Sequence, residues 1–228
     1  MRTDVALLLD LDGTLLDTAP DMGGALNRLR LENGRDVIAP EVIRPAVSHG
    51  SARLVSLGFP DAAGDEYERL RLRFLDLYAE RVAEGTRLFP GMEDLLRTLE
   101  RGGVPWGVVT NKPGWLTDPL LEALALDRRA ACVVSGDTVA ERKPHPLPLL
   151  HAARLVGVAP GDCVYAGDAE RDIQAGRAAG MTTVVAAYGY IAESEDPLAW
   201  QPAGVVNEPA QLAEWLGSGA ARVAGRRA

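Results

Sequence analysis

No apolar run in this chain approaches the roughly 20 residues that a membrane-spanning helix needs. The first apolar stretch, residues 5–9, stops at Asp10 and is too short for a signal-peptide core. Basic residues form no block and the formal charge is −8, so neither nucleic acid nor a membrane is expected as a partner. Cysteine is scarce. Cys132 and Cys163 are the only two, both in strand-like apolar runs, where buried thiols in a reducing compartment are expected rather than a disulfide framework. The three histidines, His49, His145 and His151, are too scattered for an imidazole metal site. Lysine is nearly absent: of 24 basic residues only Lys112 and Lys143 are lysines, and the other 22 are arginines. A chain that otherwise always uses Arg points to those two positions. The expectation is a soluble, cytoplasmic protein, monomer or homodimer, that acts on a small molecule.

What is present is a globular composition. The 228 residues are 47% hydrophobic and 25% charged, enough to bury a sizeable core. Short apolar runs at 5–9, 104–110, 131–135, 163–166 and 181–186 alternate with amphipathic stretches at 115–126, 146–156 and 169–179, and 210–216 reads as a last helix. Strands alternating with helices of about a dozen residues imply an α/β fold with a parallel sheet covered on both faces. Ligands of such sheets sit at the carboxyl ends of the strands.

The alternation breaks after the first strand. Residues 17–85 read as helices only: 21–32, a short pair around 40–57, and 65–84. In the last, Tyr67, Leu70, Phe74, Leu77, Tyr78 and Arg81 recur at helical spacing and predict one apolar stripe, with the aromatics in the core. The division expected is a core of 1–16 and 86–228 with a helical cap of 17–85, hinged at 17–20 and 85–86. The tail, 217–228, is small residues and arginines and is expected to fray.

The chemistry-bearing residues fall at strand ends. The first strand closes on Asp10-Leu11-Asp12-Gly13-Thr14. Residues two apart on extended backbone face the same way, so both carboxylates are expected to converge. The second closes on Thr110-Asn111-Lys112-Pro113 ahead of a helix, where a hydroxyl and an amide suit a phosphate oxygen. Lys143-Pro144 follows the third, and the fourth ends Gly167-Asp168 with Asp172 one helical turn on. Like charges 4 Å apart repel by about 4 kcal/mol at an effective dielectric of about 20. Four carboxylates at one sheet edge therefore call for a divalent cation, and an all-oxygen donor set fits Mg²⁺ better than Zn²⁺.

In order, these four segments resemble the motifs of haloacid dehalogenase-superfamily phosphatases, over nearly the whole chain. The resemblance implies a Rossmann-like, doubly wound parallel-sheet core with an inserted small α-helical cap. It implies that Asp10 is the nucleophile, becoming an aspartyl phosphate, and that Asp12 is the general acid and base. It implies Mg²⁺ on Asp10, the Asp12 backbone carbonyl and Asp168, with Asp172 behind them holding metal-bound water or orienting Lys143. Thr110, Asn111 and Lys143 would bind the phosphoryl oxygens. Lys112 has no assigned role beyond nearness to the phosphate.

Within the superfamily, Asp12 argues against haloacid dehalogenases, and the absence of lysine from 17–85 argues against phosphonate-cleaving relatives. Phosphomutases share the motifs and stay open. A phosphorylation-switched signalling module is the rival from another class, disfavoured by the order of its acidic residues and its lack of a cap. Asp10–Asp21 and Val108–Pro113 resemble bacterial phosphoglycolate phosphatases. Val47-Ser48-His49-Gly50 with Arg53, Leu88–Met92 and Ala187–Ile191 resemble N-acetylmuramic acid 6-phosphate phosphatases, which serve peptidoglycan recycling. The latter likeness is the closer, and it leads Ser48, His49 and Arg53 to be expected facing the site from the cap to read the substrate's organic part.

Overall fold

The computed structural model describes residues 4–217, so the expectation for residues 218–228 lies outside the described residues. In chain order the chain forms β1 (Ala6–Leu9), β2 (Leu16–Asp17), α1 (Ala19–Glu32), α2 (Pro40–Ile43), a 3-10 turn over Arg44–His49, α3 (Gly50–Gly58), α4 (Gly64–Ala79), β3 (Arg87–Leu88) and α5 (Met92–Gly102). There follow β4 (Trp106–Val109), α6 (Gly114–Ala123), β5 (Cys132–Val134), α7 (Leu147–Val156), β6 (Cys163–Gly167), α8 (Glu170–Ala178), β7 (Thr182–Ala186), β8 (Gly204–Val206) and α9 (Leu212–Gly217).

Six strands pair in the order β5-β4-β1-β6-β7-β8, all parallel. In sheet-strand sequence this is 3-2-1-4-5-6, the doubly wound order whose switch point lies between β1 and β6. Alternation along β1 explains the two layers. Leu7 and Leu9 join one apolar cluster with Leu95, Leu99, Leu116 and Leu120 of α5 and α6. Ala6 and Leu8 join another with Leu149 and Ala152 of α7 and Ala175 of α8. Cys132 and Cys163 are free and buried, as expected.

Between β1 and α5 lies the helical insert, α1 to α4. Its entry and exit run side by side: Leu16 and Asp17 pair antiparallel with Leu88 and Arg87. The Asp21 carboxylate accepts bonds from the Gly85 and Thr86 amides, at 2.6 and 2.8 Å, and from the Thr86 hydroxyl. Both chain crossings are thus clipped by one side chain.

Three expectations need correction. The helix expected over 65–84 ends at Ala79, because past Tyr78 the stripe carries only exposed Arg81, which pairs with Glu84 instead of packing. The short β2–β3 ribbon and β8 are additional strands, of two and three residues, too short to show a period. Gly204 opens β8 because Trp215 of α9 lies where its Cβ would be.

Candidate active site

The carboxyl ends of β1, β4 and β6 meet beneath the insert. After β1 the chain stops being extended, and this changes the fate of the aspartate pair. Gly13 turns at φ +87, a left-handed conformation that suits glycine, and a Cβ there would overlap Asp168 Oδ2. Asp10 and Asp12 both line the cavity, as expected of a pair facing one site, but they take different partners. Asp10 Oδ1 accepts from Lys143 Nζ at 2.7 Å. Asp12 Oδ1 accepts from Lys112 Nζ at 2.8 Å and from the Thr18 hydroxyl at 2.7 Å.

The cluster is therefore three carboxylates, not four: oxygens of Asp10, Asp168 and Asp172 lie within 4.8 Å of one another, all buried. Lys143 Nζ bridges two of them, reaching Asp172 Oδ1 at 2.8 Å, and also bonds the Val109 carbonyl and the Tyr165 hydroxyl, each at 2.8 Å. Asp172 is fully engaged. Its Oδ2 accepts the Ala169 amide at 3.1 Å, opening α8, and Tyr165 reaches its Oδ1 at 3.2 Å.

Burial governs the charges here. It pushes the Asp10 carboxyl up to about 6 although the Lys143 charge pulls the other way. It pushes Asp168 up to about 7, with the Asp10 and Asp172 charges adding to it. Burial opposes ionisation of Asp172 too, but Lys143 and Arg171 outweigh it and hold that carboxyl below its usual value. Raised acids surrounding an ionised one describe a pocket short of positive charge.

A divalent cation fits that shortage. Asp168 Oδ2 accepts from the Ser48 hydroxyl at 2.5 Å and the Tyr190 amide at 3.0 Å, while its Oδ1 is buried with no partner. An orphaned buried carboxylate oxygen is costly, and it sits beside Asp10 in an all-oxygen group that suits Mg²⁺.

The other expected site residues divide. Thr110 is buried; its Oγ1 accepts the Lys112 amide at 3.1 Å, which keeps the hydroxyl hydrogen available. The Asn111 side chain is not available: its amide nitrogen bonds the Lys143 carbonyl at 2.9 Å and its oxygen accepts the Lys143 amide at 3.0 Å. It seats the Lys143 loop and lines the cavity beside it. Ser48 and His49 line the cavity, but Ser48 is occupied by Asp168 at its hydroxyl and by Arg171 Nη2 at its carbonyl, 2.5 Å away. Partial burial, and then the Arg171 charge, push His49 below its usual pKa. Arg53 does not reach the cavity. The face of α3 that carries Leu54 and Val55 packs inward, which leaves Arg53 exposed. Arg71 of α4 and Arg142 line the cavity where Arg53 was expected.

Four residues take on their part only in three dimensions. Lys112 joins Asp12. Tyr78 of α4, expected to be plain core, also lines the cavity, and its hydroxyl accepts from Lys112 at 3.2 Å. Arg171 lines the cavity, and although burial opposes its charge, Asp172, Asp10 and Asp168 hold it high. Tyr190 donates its amide to Asp168 and its hydroxyl to Asp17 at 2.7 Å, tying the acidic cluster to the entry of the insert. Lysine scarcity pointed to Lys112, and Tyr190 fell in the segment 187–191 that carried a resemblance, but neither signal gave these contacts.

Buried acids at the switch point of a doubly wound sheet, bridged by one lysine under a helical insert, describe an α/β protein with a pocket built for a cation beside its acids. The haloacid dehalogenase-like hydrolase family matches residues 7–186; the chain belongs to that family and is a phosphatase of it. It is 47% identical to the phosphoglycolate phosphatase of Xanthomonas campestris pv. campestris (strain 8004), over 94% of this chain and 97% of that one. It is 38% identical to the N-acetylmuramic acid 6-phosphate phosphatase of Pseudomonas putida, over 93% and 96% respectively. A crystal structure described as a predicted phosphoglycolate phosphatase from Haemophilus somnus 129PT matches with a TM-score of 0.82 at 25% identity, covering 94% of this chain and 99% of that one.

Proposed function

We propose that this phosphatase is a Mg²⁺-dependent phosphomonoesterase whose preferred substrate is N-acetylmuramic acid 6-phosphate, in peptidoglycan recycling, working through an aspartyl phosphate on Asp10. One observation carries the choice of substrate. The cavity over the carboxylates has a volume of about 780 Å³, within the roughly 300–1,000 Å³ of sites that enclose drug-sized ligands. Its walls include Trp115 and Leu72, each 52% exposed, with Arg71 and Arg142 nearby. An acylated amino sugar bearing a carboxylate would cover that apolar wall and pair with an arginine. Phosphoglycolate, with two carbons and no apolar part, would leave it wet. The second reading, 2-phosphoglycolate, is favoured by the name of the Xanthomonas relative.

The proposed chemistry uses the chain's own groups in turn. Lys143 fixes Oδ1 of Asp10, so Oδ2 attacks phosphorus. Splitting hydrolysis into two displacements lowers each barrier. Thr110 donates its hydroxyl hydrogen to the phosphoryl group, Asn111 contributes through its backbone, and Lys143 offsets the charge beside the nucleophile. Asp12 protonates the departing alcohol and then takes a proton from the water that cleaves the acyl phosphate. Mg²⁺, held by Asp10, Asp168 and the Asp12 carbonyl, would neutralise charge so that an anionic substrate can meet an anionic nucleophile. Asp172 acts by orienting Lys143. Residues 17–85 act as the cap, and release from a closed site makes their motion part of turnover.

The test is phosphate release with Mg²⁺ on both esters. A kcat/KM at least about tenfold higher for N-acetylmuramic acid 6-phosphate is expected, a gap of about 1.4 kcal/mol. Trp115→Ala should raise KM for that sugar about tenfold, the loss of one aromatic face, and move KM for 2-phosphoglycolate less than about twofold. A higher kcat/KM for 2-phosphoglycolate would replace this substrate with the second reading.

A further inference from the structure

The two lysines are used in the same way. Each ammonium is buried, each bonds one of the two motif aspartates, and each lies near a tyrosine ring: Lys143 on Asp10 with Tyr165 at 5.5 Å, Lys112 on Asp12 with Tyr78 at 4.7 Å. Lys143 is a familiar part of such a site. Lys112 is not accounted for by the chemistry above.

Lys112 is buried at the wall of the cavity, and its ammonium is held by several partners. Its Nζ bonds Asp12 Oδ1 at 2.8 Å and Oδ2 at 3.0 Å, bonds Tyr78 at 3.2 Å, and lies 3.9 Å from Met22 Sδ. A compact ammonium suits this nest, whereas the planar fork of a guanidinium spreads its donors too widely. That is a physical reason for lysine here in a chain that otherwise chooses arginine. Burial works against the charge, yet Asp12 beside it holds Lys112 above its usual pKa, and burial pushes the Tyr78 phenol up to about 12.

We propose that Lys112 is a positioning residue for Asp12, fixing the carboxyl group that gives its proton to the leaving alcohol and regains one from water, and that Tyr78 completes this seat from the insert. The inference rests on the phosphatase reading with Asp12 as acid. Asp12 is held from three directions: Lys112 from the strand-end loop after β4, Thr18 from the entry to the insert, and Tyr78 indirectly through Lys112 from α4. Two of the three belong to the insert or its entry. The acid is therefore fully oriented only when α4 lies where it does here, which links the insert's position to one catalytic group rather than to access alone.

The leaving group supplies a test that general damage would not imitate. An alkyl phosphate expels a poor leaving group and needs the acid, whereas 4-nitrophenyl phosphate expels a stabilised phenolate and scarcely does. The ratio kcat/KM reports steps through first bond cleavage, so later water attack does not enter it. Lys112→Met should lower kcat/KM for the alkyl ester by about 100-fold, within the usual share of general acid catalysis. The alkyl ester is whichever of N-acetylmuramic acid 6-phosphate and 2-phosphoglycolate the wild type cleaves faster. For 4-nitrophenyl phosphate the loss should stay under about fivefold. Tyr78→Phe keeps the ring and removes one bond, so it should show the same selectivity at roughly tenfold and does not depend on the Lys112 variant folding. Equal losses on both esters in Tyr78→Phe, or no loss on either, would overturn the proposal. A wild type inactive on both alkyl esters but active on 4-nitrophenyl phosphate would instead remove both substrate readings and with them the proposed role of Asp12 on those substrates.

Discussion

Asp10→Asn is expected to lower kcat for phosphate release by about 10⁴-fold or more, the scale seen when a nucleophile is removed from a concerted site, without lowering Tm. Asparagine keeps the shape and loses the attacking charge. Lys143 would still hold Asp172 at 2.8 Å, Val109 and Tyr165, so the bridge survives the substitution. One of three crowded carboxylates would become neutral, which relieves the repulsion that helps raise Asp10 and Asp168. Activity lost with Tm unchanged or raised is a signature that a folding defect cannot give. Activity assays beside thermal unfolding check both halves.

Lys143→Met should do the reverse, removing stability together with activity. The substitution leaves Asp10 and Asp172, both fully buried, without their shared cation. Stranding buried charge in this way costs about 3–5 kcal/mol, which for a chain of this size is roughly a 10 °C fall in Tm. The sign of its pH dependence follows from linkage. In the wild type, Asp172 lies below its usual pKa, so its contribution is present near neutrality and lost in acid. Without Lys143 its folded pKa rises, and a raised carboxyl stabilises only at low pH and less as pH climbs through that value. The Tm deficit should therefore be larger at pH 8 than at pH 5, and unfolding curves at both values check it. A deficit that shrinks as pH rises would mean that Lys143 does not neutralise this cluster.

Much of the fold could be read from the chain because parallel strands buried on both faces give short, unbroken apolar runs, and these end abruptly where polar groups begin. Asp10, Thr110, Lys143, Asp168 and Asp172 were placed at one sheet edge by that logic alone. The separate partners of Asp10 and Asp12 could not be read, since the period of two holds only while backbone is extended, and β1 ends at Leu9. Nor could Tyr78 be separated from Phe74 in the α4 stripe, because helical spacing says which face is inward but not that a hydroxyl at its edge reaches Lys112. Arg53 shows the same limit on α3. A single residue of helical phase separates Ala52, which lines the cavity, from Arg53, which does not, and no local feature of that short helix fixed the phase. A sharp turn at Gly13 could be read from the chain, whereas other glycines gave their reasons only in three dimensions. Gly189 is small because the Gly13 carbonyl and Asp168 Cβ occupy the place of its side chain.

The proposed mechanism stands most directly on the covalent step. Wild-type protein mixed with Mg²⁺ and N-acetylmuramic acid 6-phosphate, quenched in acid within the first turnover and digested, should yield one peptide heavier by one phosphoryl group, with the added mass on Asp10. Hydroxylamine should remove it, as it does acyl phosphates. Rapid turnover with no phosphorylated peptide, or a phosphoryl group on any other residue, would contradict the assignment of Asp10 as nucleophile.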